Sequence, residues 1–301
     1  MVKWSYVSTA ACCQLPASDS MKADQPSLKV LLDIGGWPMG SEEFTKLVSS
    51  QSNMQTFAAN AIKYLRQFNF DGLVIDWEYP VTRPPSTLME AFENEVQGNS
   101  RPRLLLAAGI STSPWQISQS FELPDISEYV DWLDLRAMGL HGTWEGGLDH
   151  HAALYSPTWD EKDSILIVNA SVPSEKLDLG IPFYGQYFNL TDPTNYDVGA
   201  PINGGGTMAY YEICKLLTEN SDSVTTGRLS NTKAPYVVDG SRWTGYDDAM
   251  SIQEKVDYVM EHGLGGVAVF SIDMDDFNGL CGGESNPLLH TIQRQFSGLV
   301  G

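Results

Sequence analysis

The strongest constraint on this chain is an alternation of short apolar or β-branched runs with stretches whose apolar residues recur three to four apart. Leu28 to Ile34 reads as a strand, closed by Gly35-Gly36. Phe44 to Phe68 reads as a helix, with Phe57, Ala61, Tyr64, Leu65 and Phe68 on one stripe. A strand ending at Glu78 follows, then a helix near Thr87 to Val96 and a strand over Leu104 to Ile110. Pro124 to Val130 is a short helix or loop, and Trp132 to Met138 a strand. A helix near Lys162 to Ala170 precedes a strand over Leu177 to Ile181. From about Phe188 to Trp243 the pattern is less regular, with a short helix over Tyr210 to Leu217 and a strand over Ala234 to Val238. Gly204-Gly205-Gly206 lacks the Lys-Ser/Thr of a phosphate loop and reads as a turn. A helix over Ser251 to His262, a buried strand over Gly266 to Ile272 and a helix over Asn286 to Phe296 close the chain. Strands alternating with helices imply an α/β fold on a parallel sheet. At 301 residues the chain is long enough for one large domain with a substantial core.

A net charge of -20 argues against nucleic acid and anionic membranes as partners. It does not oppose a neutral polymer such as a polysaccharide. No apolar run approaches a membrane span. Cys12, Cys13, Cys214 and Cys281 fit no zinc spacing. Asn169-Ala170-Ser171 and Asn189-Leu190-Thr191 are glycosylation sequons. The first eleven residues carry a single Lys and no clean apolar core, a poor signal peptide.

Within Phe70-Asp71-Gly72-Leu73-Val74-Ile75-Asp76-Trp77-Glu78-Tyr79-Pro80, strand alternation puts Val74, Asp76 and Glu78 on one face and Leu73, Ile75 and Trp77 on the other. Two carboxylates two residues apart lie roughly 6–7 Å apart along a strand. Each can raise the other's pKa, so that one stays protonated as an acid near neutral pH. The plain alternative is a strand end whose acids face water.

The stretch resembles the Asp-x-x-Asp-x-Asp-x-Glu signature of the chitinases of glycoside hydrolase family 18, and the likeness runs from about Leu28 to His290. It is nearest to the animal chitinases and chitinase-like lectins. The resemblance implies an eight-stranded TIM (β/α)8-type barrel with the site at the C-terminal ends of its strands. Six strands are recognisable, near residues 28–34, 73–78, 104–110, 132–138, 177–182 and 266–272. Residues 1–27 are expected to be a truncated or divergent segment before a barrel over 28–301, with Trp4 to Ser8 as the source of one replacement strand. An open barrel would leave strand edges exposed. The family also implies a small α+β insertion over about 188–243, a Cys214–Cys281 disulfide and an extracellular setting for a monomer.

The family chemistry is substrate-assisted rather than dependent on a two-carboxylate pair. The resemblance gives Glu78 the general acid/base role and Asp76 the task of orienting the acetamido group of an N-acetyl sugar, so the implied partner is chitin or a chito-oligosaccharide. It requires no cofactor and no metal; Asp273-Met274-Asp275-Asp276 matches the family's last-strand segment and lacks the Gly and Glu of an EF-hand loop.

Several positions depart from the family. Val74 stands where its middle Asp belongs, while Asp33 stands where it has Ser. Either Asp33 replaces the lost acid as partner to Asp76, or the two changes are unrelated drift. Met138 and Gly139 replace the Tyr and Asp that hold the acetamido group. Arg136 replaces a Met and would either pair with Glu78 or neutralise a negative pocket. Phe270 replaces the Trp of the pocket floor, and Gln186 an Arg. Tyr184 matches a family Tyr that lines the site. Trp37, Trp144 and Trp243 line a sugar cleft or pack in the core; Trp77 reads as core. The retained Asp76 and Glu78 imply a chitinase. The altered surroundings imply a chitin-binding lectin, and the short N-terminus leaves the third reading of a partial product that does not fold.

Overall fold

The computed structural model describes residues 5–8, 22, 27–78, 86–97, 100–155, 172–229 and 232–297. Trp4, Cys12, Cys13, Tyr79-Pro80, the helix expected near 162–170 and the Asn169 sequon lie outside the described residues. The chain forms two compact units. One comprises residues 1–135, 168–178 and 264–266, the other residues 136–167, 179–263 and 267–301.

The first unit is a sheet covered by helices. Strands β1 (Ser5–Ser8), β2 (Lys29–Gly35), β3 (Gly72–Asp76) and β4 (Leu105–Ser111) run parallel in that order. Strand β5 (Trp132–Arg136) follows β4 in the same sheet. β1 is the replacement strand expected from the N-terminal segment, paired Ser5 to Lys29 through Ser8 to Leu32. Leu31, Val74, Ala107 and Trp132 pack together on one sheet face. Carboxylates at the strand starts pin the register. Asp71 accepts the Val30 N–H at 2.8 Å and pairs with Lys22 at 2.8 Å. Asp131 accepts the Leu106 N–H at 2.8 Å and forms a fork with Arg103 at 2.6 and 3.1 Å.

The single helix expected over Phe44 to Phe68 is two: α1 (Glu42–Leu47) and α2 (Gln51–Gln67). Ser50 breaks it by taking an extended backbone and accepting the Asn53 N–H at 3.1 Å, an N-cap that starts a new helix. Helices α3 (Ser86–Glu95), α4 (Pro114–Ser120) and α5 (Leu123–Tyr129) complete the layer.

The second unit is built on a five-stranded antiparallel sheet. Its strands are β7 (Tyr184–Leu190), β8 (Ile202–Ala209), β9 (Thr225–Leu229), β10 (Ala234–Asp239) and β11 (Arg242–Gly245), ordered β8-β7-β11-β10-β9. Helix α6 (Tyr210–Glu219) is inserted between β8 and β9 in sequence. This is the α+β insertion. Gly204-Gly205-Gly206 is not a turn but the middle of β8. Side chains at Gly205 and Gly206 would strike the carbonyl and ring of Tyr187 on the neighbouring strand, so only glycine lets the strands approach. Phe188, Leu190, Val238 and Trp243 form the core beneath this sheet. Trp243, a candidate for the sugar cleft, is therefore core.

Strands β6 (Leu177–Pro182) and β12 (Gly266–Phe270) are neighbours, and helices α7 (Ala249–Glu261) and α8 (Pro287–Ser297) pack on them through Ile181, Ile252, Val256, Leu288 and Ile292. Beneath α7, Lys255 meets Asp247 at 2.6 Å with both side chains sealed from solvent. The Ser251 hydroxyl donates to the other oxygen of Asp247 at 2.7 Å. Cys214 and Cys281 form a disulfide with a Cα–Cα distance of 5.7 Å.

Candidate functional site

In the first unit the acids gather where β3 ends and the chain after β2 turns. Register pairs Asp33 with Val74 and Gly35 with Asp76. Leu31 and Val74 share a cluster on one face, so the two-residue period sends Asp33 and Asp76 to that face as well. Both are buried, at 8% and 7% exposure. Asp76 ends β3, and Glu78 lies two residues beyond it in a bend, half-buried. The strand read from the sequence through Glu78 thus stops earlier.

The glycine pair after β2 makes room for Asp76. Gly35 has φ +127°, and a side chain there would collide with the Asp76 carbonyl. A Cβ at Gly36 would sit 3.6 Å from Asp76 Oδ2, so this carboxylate lies close to the Gly36 main chain. Trp37 follows at 77% exposure, a flat apolar face presented to solvent. Trp77 turns the other way and stacks on Phe44 with ring centroids 5.1 Å apart. It is core, as its strand face implies.

In the second unit, Arg136 and Met138 are half-buried and Gly139 is exposed with φ +66°. His141 Nδ1 donates to Glu145 at 2.7 Å, closing the loop that carries Trp144. The Trp144 ring lies against Gly142, and the residue is 70% exposed. Tyr184 opens β7 and meets Phe270 edge-on, centroids 6.2 Å apart. Gln186 sits two residues along β7, paired with Gly245 and Thr207.

Behind Tyr184 stands a feature not visible in the sequence. His151 packs against the Tyr184 ring at 5.0 Å, His150 stacks on His151 at 5.5 Å, and Trp243 meets His150 edge-on at 6.2 Å. With Phe270 they make a continuous row of rings. Both histidines are fully buried. His150 Nε2 donates toward the carbonyls of Pro235 and Tyr246, at 3.2 and 3.1 Å, while its Nδ1 accepts the Ala152 N–H at 3.1 Å. That pattern fixes the neutral Nε2–H tautomer. Burial lowers the His150 pKa to about 4 and pushes His151 well below its ordinary value.

The acids near the last strand serve the backbone. Asp275 accepts the N–H groups of Asp276, Leu288 and Leu289, at 2.8, 3.4 and 3.0 Å, and so caps the start of α8. Its pKa is nevertheless raised, because burial outweighs those bonds. Asp276 accepts from the Leu280 and Cys281 N–H groups at 2.8 and 2.9 Å. Among the described residues, the one grouping with metal-ligand geometry is Cys214, Asp276 and Cys281, and its two sulfurs are bonded to each other. Sequence reading also passed over two buried acids. Asp134 accepts the Trp132 indole N–H at 3.1 Å, and Asp178 lies close to Gly265 and Gly266. Their signal was the one that singled out Asp76, an acid inside a buried strand.

The family model for glycosyl hydrolases family 18 matches residues 6–275. The chain belongs to glycosyl hydrolases family 18. Chitinase-3-like protein 2 of Homo sapiens is 34% identical over 310 residues, 93% of this chain and 78% of its own length. Chitotriosidase-1 of Mus musculus is 32% identical over 311 residues, 93% of this chain and 66% of its own length. A structure of human YKL-39, described as a pseudo-chitinase with retained chitooligosaccharide binding properties, is 33% identical with a TM-score of 0.87, covering 94% of this chain and 84% of that one. The chain spans 56% to 78% of the length of the curated family 18 relatives it matches. The family 18 fold accounts for both parts of the architecture, an incomplete TIM-type barrel and an antiparallel insertion. Family 18 thus contains both chitinases and a binding protein among this chain's relatives, and the departures at Val74, Met138, Gly139 and Phe270 bear on which it resembles in action.

Proposed function

We propose that the protein hydrolyses β-1,4-linked N-acetylglucosamine polymers with retention of configuration. Glu78 gives its carboxyl proton to the glycosidic oxygen as the C1–O bond breaks. The substrate's own acetamido oxygen attacks C1 and forms an oxazolinium ion, while Asp76 accepts the acetamido N–H and offsets the positive charge. Water then attacks C1, the Glu78 carboxylate takes its proton, and the acetamide is regenerated. Tyr184 contributes a hydroxyl to the acetamido group, and Asp33 stands in for the acid missing at Val74. Trp37, Trp144 and Phe270 offer faces for sugar rings; Arg136, Met138 and Gln186 line the sugar contact.

The observation that carries the reading is a buried Asp76 ending a parallel strand with half-buried Glu78 two residues on, at the strand end where barrel enzymes keep their chemistry. The second reading, a chitin-binding protein with little turnover, is favoured by Met138 and Gly139. They remove two groups that would hold the acetamido oxygen and nitrogen, and one lost donor costs about 10²–10³ in rate. The similarity to a pseudo-chitinase supports it too. An extracellular setting corresponds to it, supported by the Cys214–Cys281 bridge and by an exposed Asn189 in its sequon.

Release of a chromophore from chitobiose and chitotriose conjugates tests the reading beside Glu78→Gln. Turnover that vanishes in the variant supports hydrolysis. Absence of turnover with retained binding to chitin beads transfers the function to the second reading. Neither turnover nor binding removes both.

A further inference from the structure

The main chain carrying the two acids extends past the last rung of its ladder. Gly36 N–H donates to the Asp76 carbonyl at 2.7 Å. The chain after β2 then turns away, with φ +79° at Gly36 and turn bonds from Met39 N–H to Gly36 O and Gly40 N–H to Trp37 O, at 3.0 and 3.3 Å. Along an extended chain the Glu78 carbonyl points the same way as that of Asp76. It lies past the last register pair of β2 and β3, Gly35 with Asp76.

Ser41 meets it there. Its hydroxyl donates to the Glu78 carbonyl at 3.1 Å. The same oxygen accepts the Trp77 indole N–H at 3.0 Å. An indole nitrogen only donates, so the Ser41 oxygen is its acceptor, while the Ser41 hydroxyl is the donor in the bond to Glu78. Ser41 is itself anchored at the start of α1, where its carbonyl accepts the N–H and hydroxyl of Thr45 at 2.9 and 2.8 Å. The Trp77 ring is held by its stack on buried Phe44.

We infer that Ser41 is a positioning residue for Glu78: its hydroxyl ties the main chain from which the acid projects to the start of α1. This rests on Glu78 being the general acid. Ser41 holds a carbonyl rather than the carboxyl group, so it acts on where the proton is delivered, not on substrate affinity. The same short loop carries exposed Trp37, so the clamp also ties an aromatic sugar face to the acid's main chain.

The test compares wild type, Ser41→Ala, Ser41→Thr, Trp77→Phe and Glu78→Gln on a chitotriose conjugate across pH, with thermal unfolding as the check on folding. Displacement on the order of 1 Å can cost about 10²-fold in rate. Ser41→Ala should lower kcat about 10- to 100-fold with KM within about threefold of wild type. Ser41→Thr keeps the hydroxyl and should restore kcat to within a fewfold. Trp77→Phe removes the indole donor together with part of a buried ring, so its kcat, which should fall between, is read beside its thermal unfolding. Equal kcat in wild type and Ser41→Ala overturns the inference, as does a loss that appears in KM alone or that Ser41→Thr fails to rescue. If wild type shows no turnover, hydrolysis falls as the proposed function. The clamp is then judged on ¹³C-labelled glutamate by the titration of Glu78, identified with Glu78→Gln. A midpoint that moves in Ser41→Ala and returns in Ser41→Thr supports the positioning role, and an unmoved midpoint overturns it.

Discussion

Lowering the pH from 7 to 4.5 should destabilise the second unit through His150. The ring is fully buried, with its Nε2–H aimed at two carbonyls and its Nδ1 already accepting the Ala152 N–H. A second proton would go on Nδ1 and confront that N–H, with Lys255 adding repulsion and Asp247 opposing it. Burial is the largest cause and brings the pKa from 6.5 to about 4. The folded value lies below the unfolded one, so the unfolded chain binds the proton first. Stability from this group is complete above about pH 6.5 and is lost as pH falls toward about 4. The gap corresponds to roughly 3 kcal/mol at 1.36 kcal/mol per tenfold change in proton affinity, most of it gone by pH 4.5. His151, stacked on His150 and also depressed by burial, acts in the same direction. Urea unfolding followed by tryptophan emission at several pH values reads the slope of stability against pH. Asp275, with its raised pKa, works against this slope, so the readout is the difference from His150→Gln, which should lower the slope by about one proton near pH 5. A His150→Gln variant with an unchanged slope refutes the reasoning.

Lys255→Met should cost about 3–5 kcal/mol in urea unfolding, because it strands the buried Asp247 carboxylate; a loss under about 1 kcal/mol would show that the pair is not sealed. Replacing Cys214 and Cys281 by Ser opens a loop of 67 residues and should lower stability by about 4 kcal/mol on the chain-entropy account, read as a shift of the urea midpoint. Asp33→Asn should reduce kcat about tenfold or more at pH 6 while thermal unfolding stays near wild type. Equal turnover would leave the changes at 33 and 74 unconnected.

The strands of the first unit are legible because burial demands it: Leu31, Leu73, Val74 and Leu106 can only form runs of such residues if both sheet faces are covered. The acids at 76 and 78 are legible for the complementary reason that a charge in such a run is costly. What escapes is decided by single contacts. The polar run Ser49 to Asn53 interrupts the apolar pattern, and a cap bond at Ser50 cuts the helix there. The three glycines of β8 look like a turn, because composition cannot reveal that Tyr187 presses on them from the next strand. Trp37 and Trp243 are indistinguishable by type, yet one is exposed and the other sealed, since the difference lies in what each strand or loop faces. The partner of Cys214 came from family likeness, not from spacing, which allows other pairings. Ser41 offered no signal, because its role depends on a carbonyl thirty-seven residues away.

The sealed Lys255–Asp247 pair also bears on how the chain is made. Its two members are eight residues apart, so α7 arrives with its counter-charge on the approach to its own first turn. A ribosome delivering this protein exposes both charges almost together. The Cys214 thiol, by contrast, must wait for 67 further residues before its partner is synthesised. The two charges can therefore meet early on the nascent chain, while the covalent link waits for a later segment.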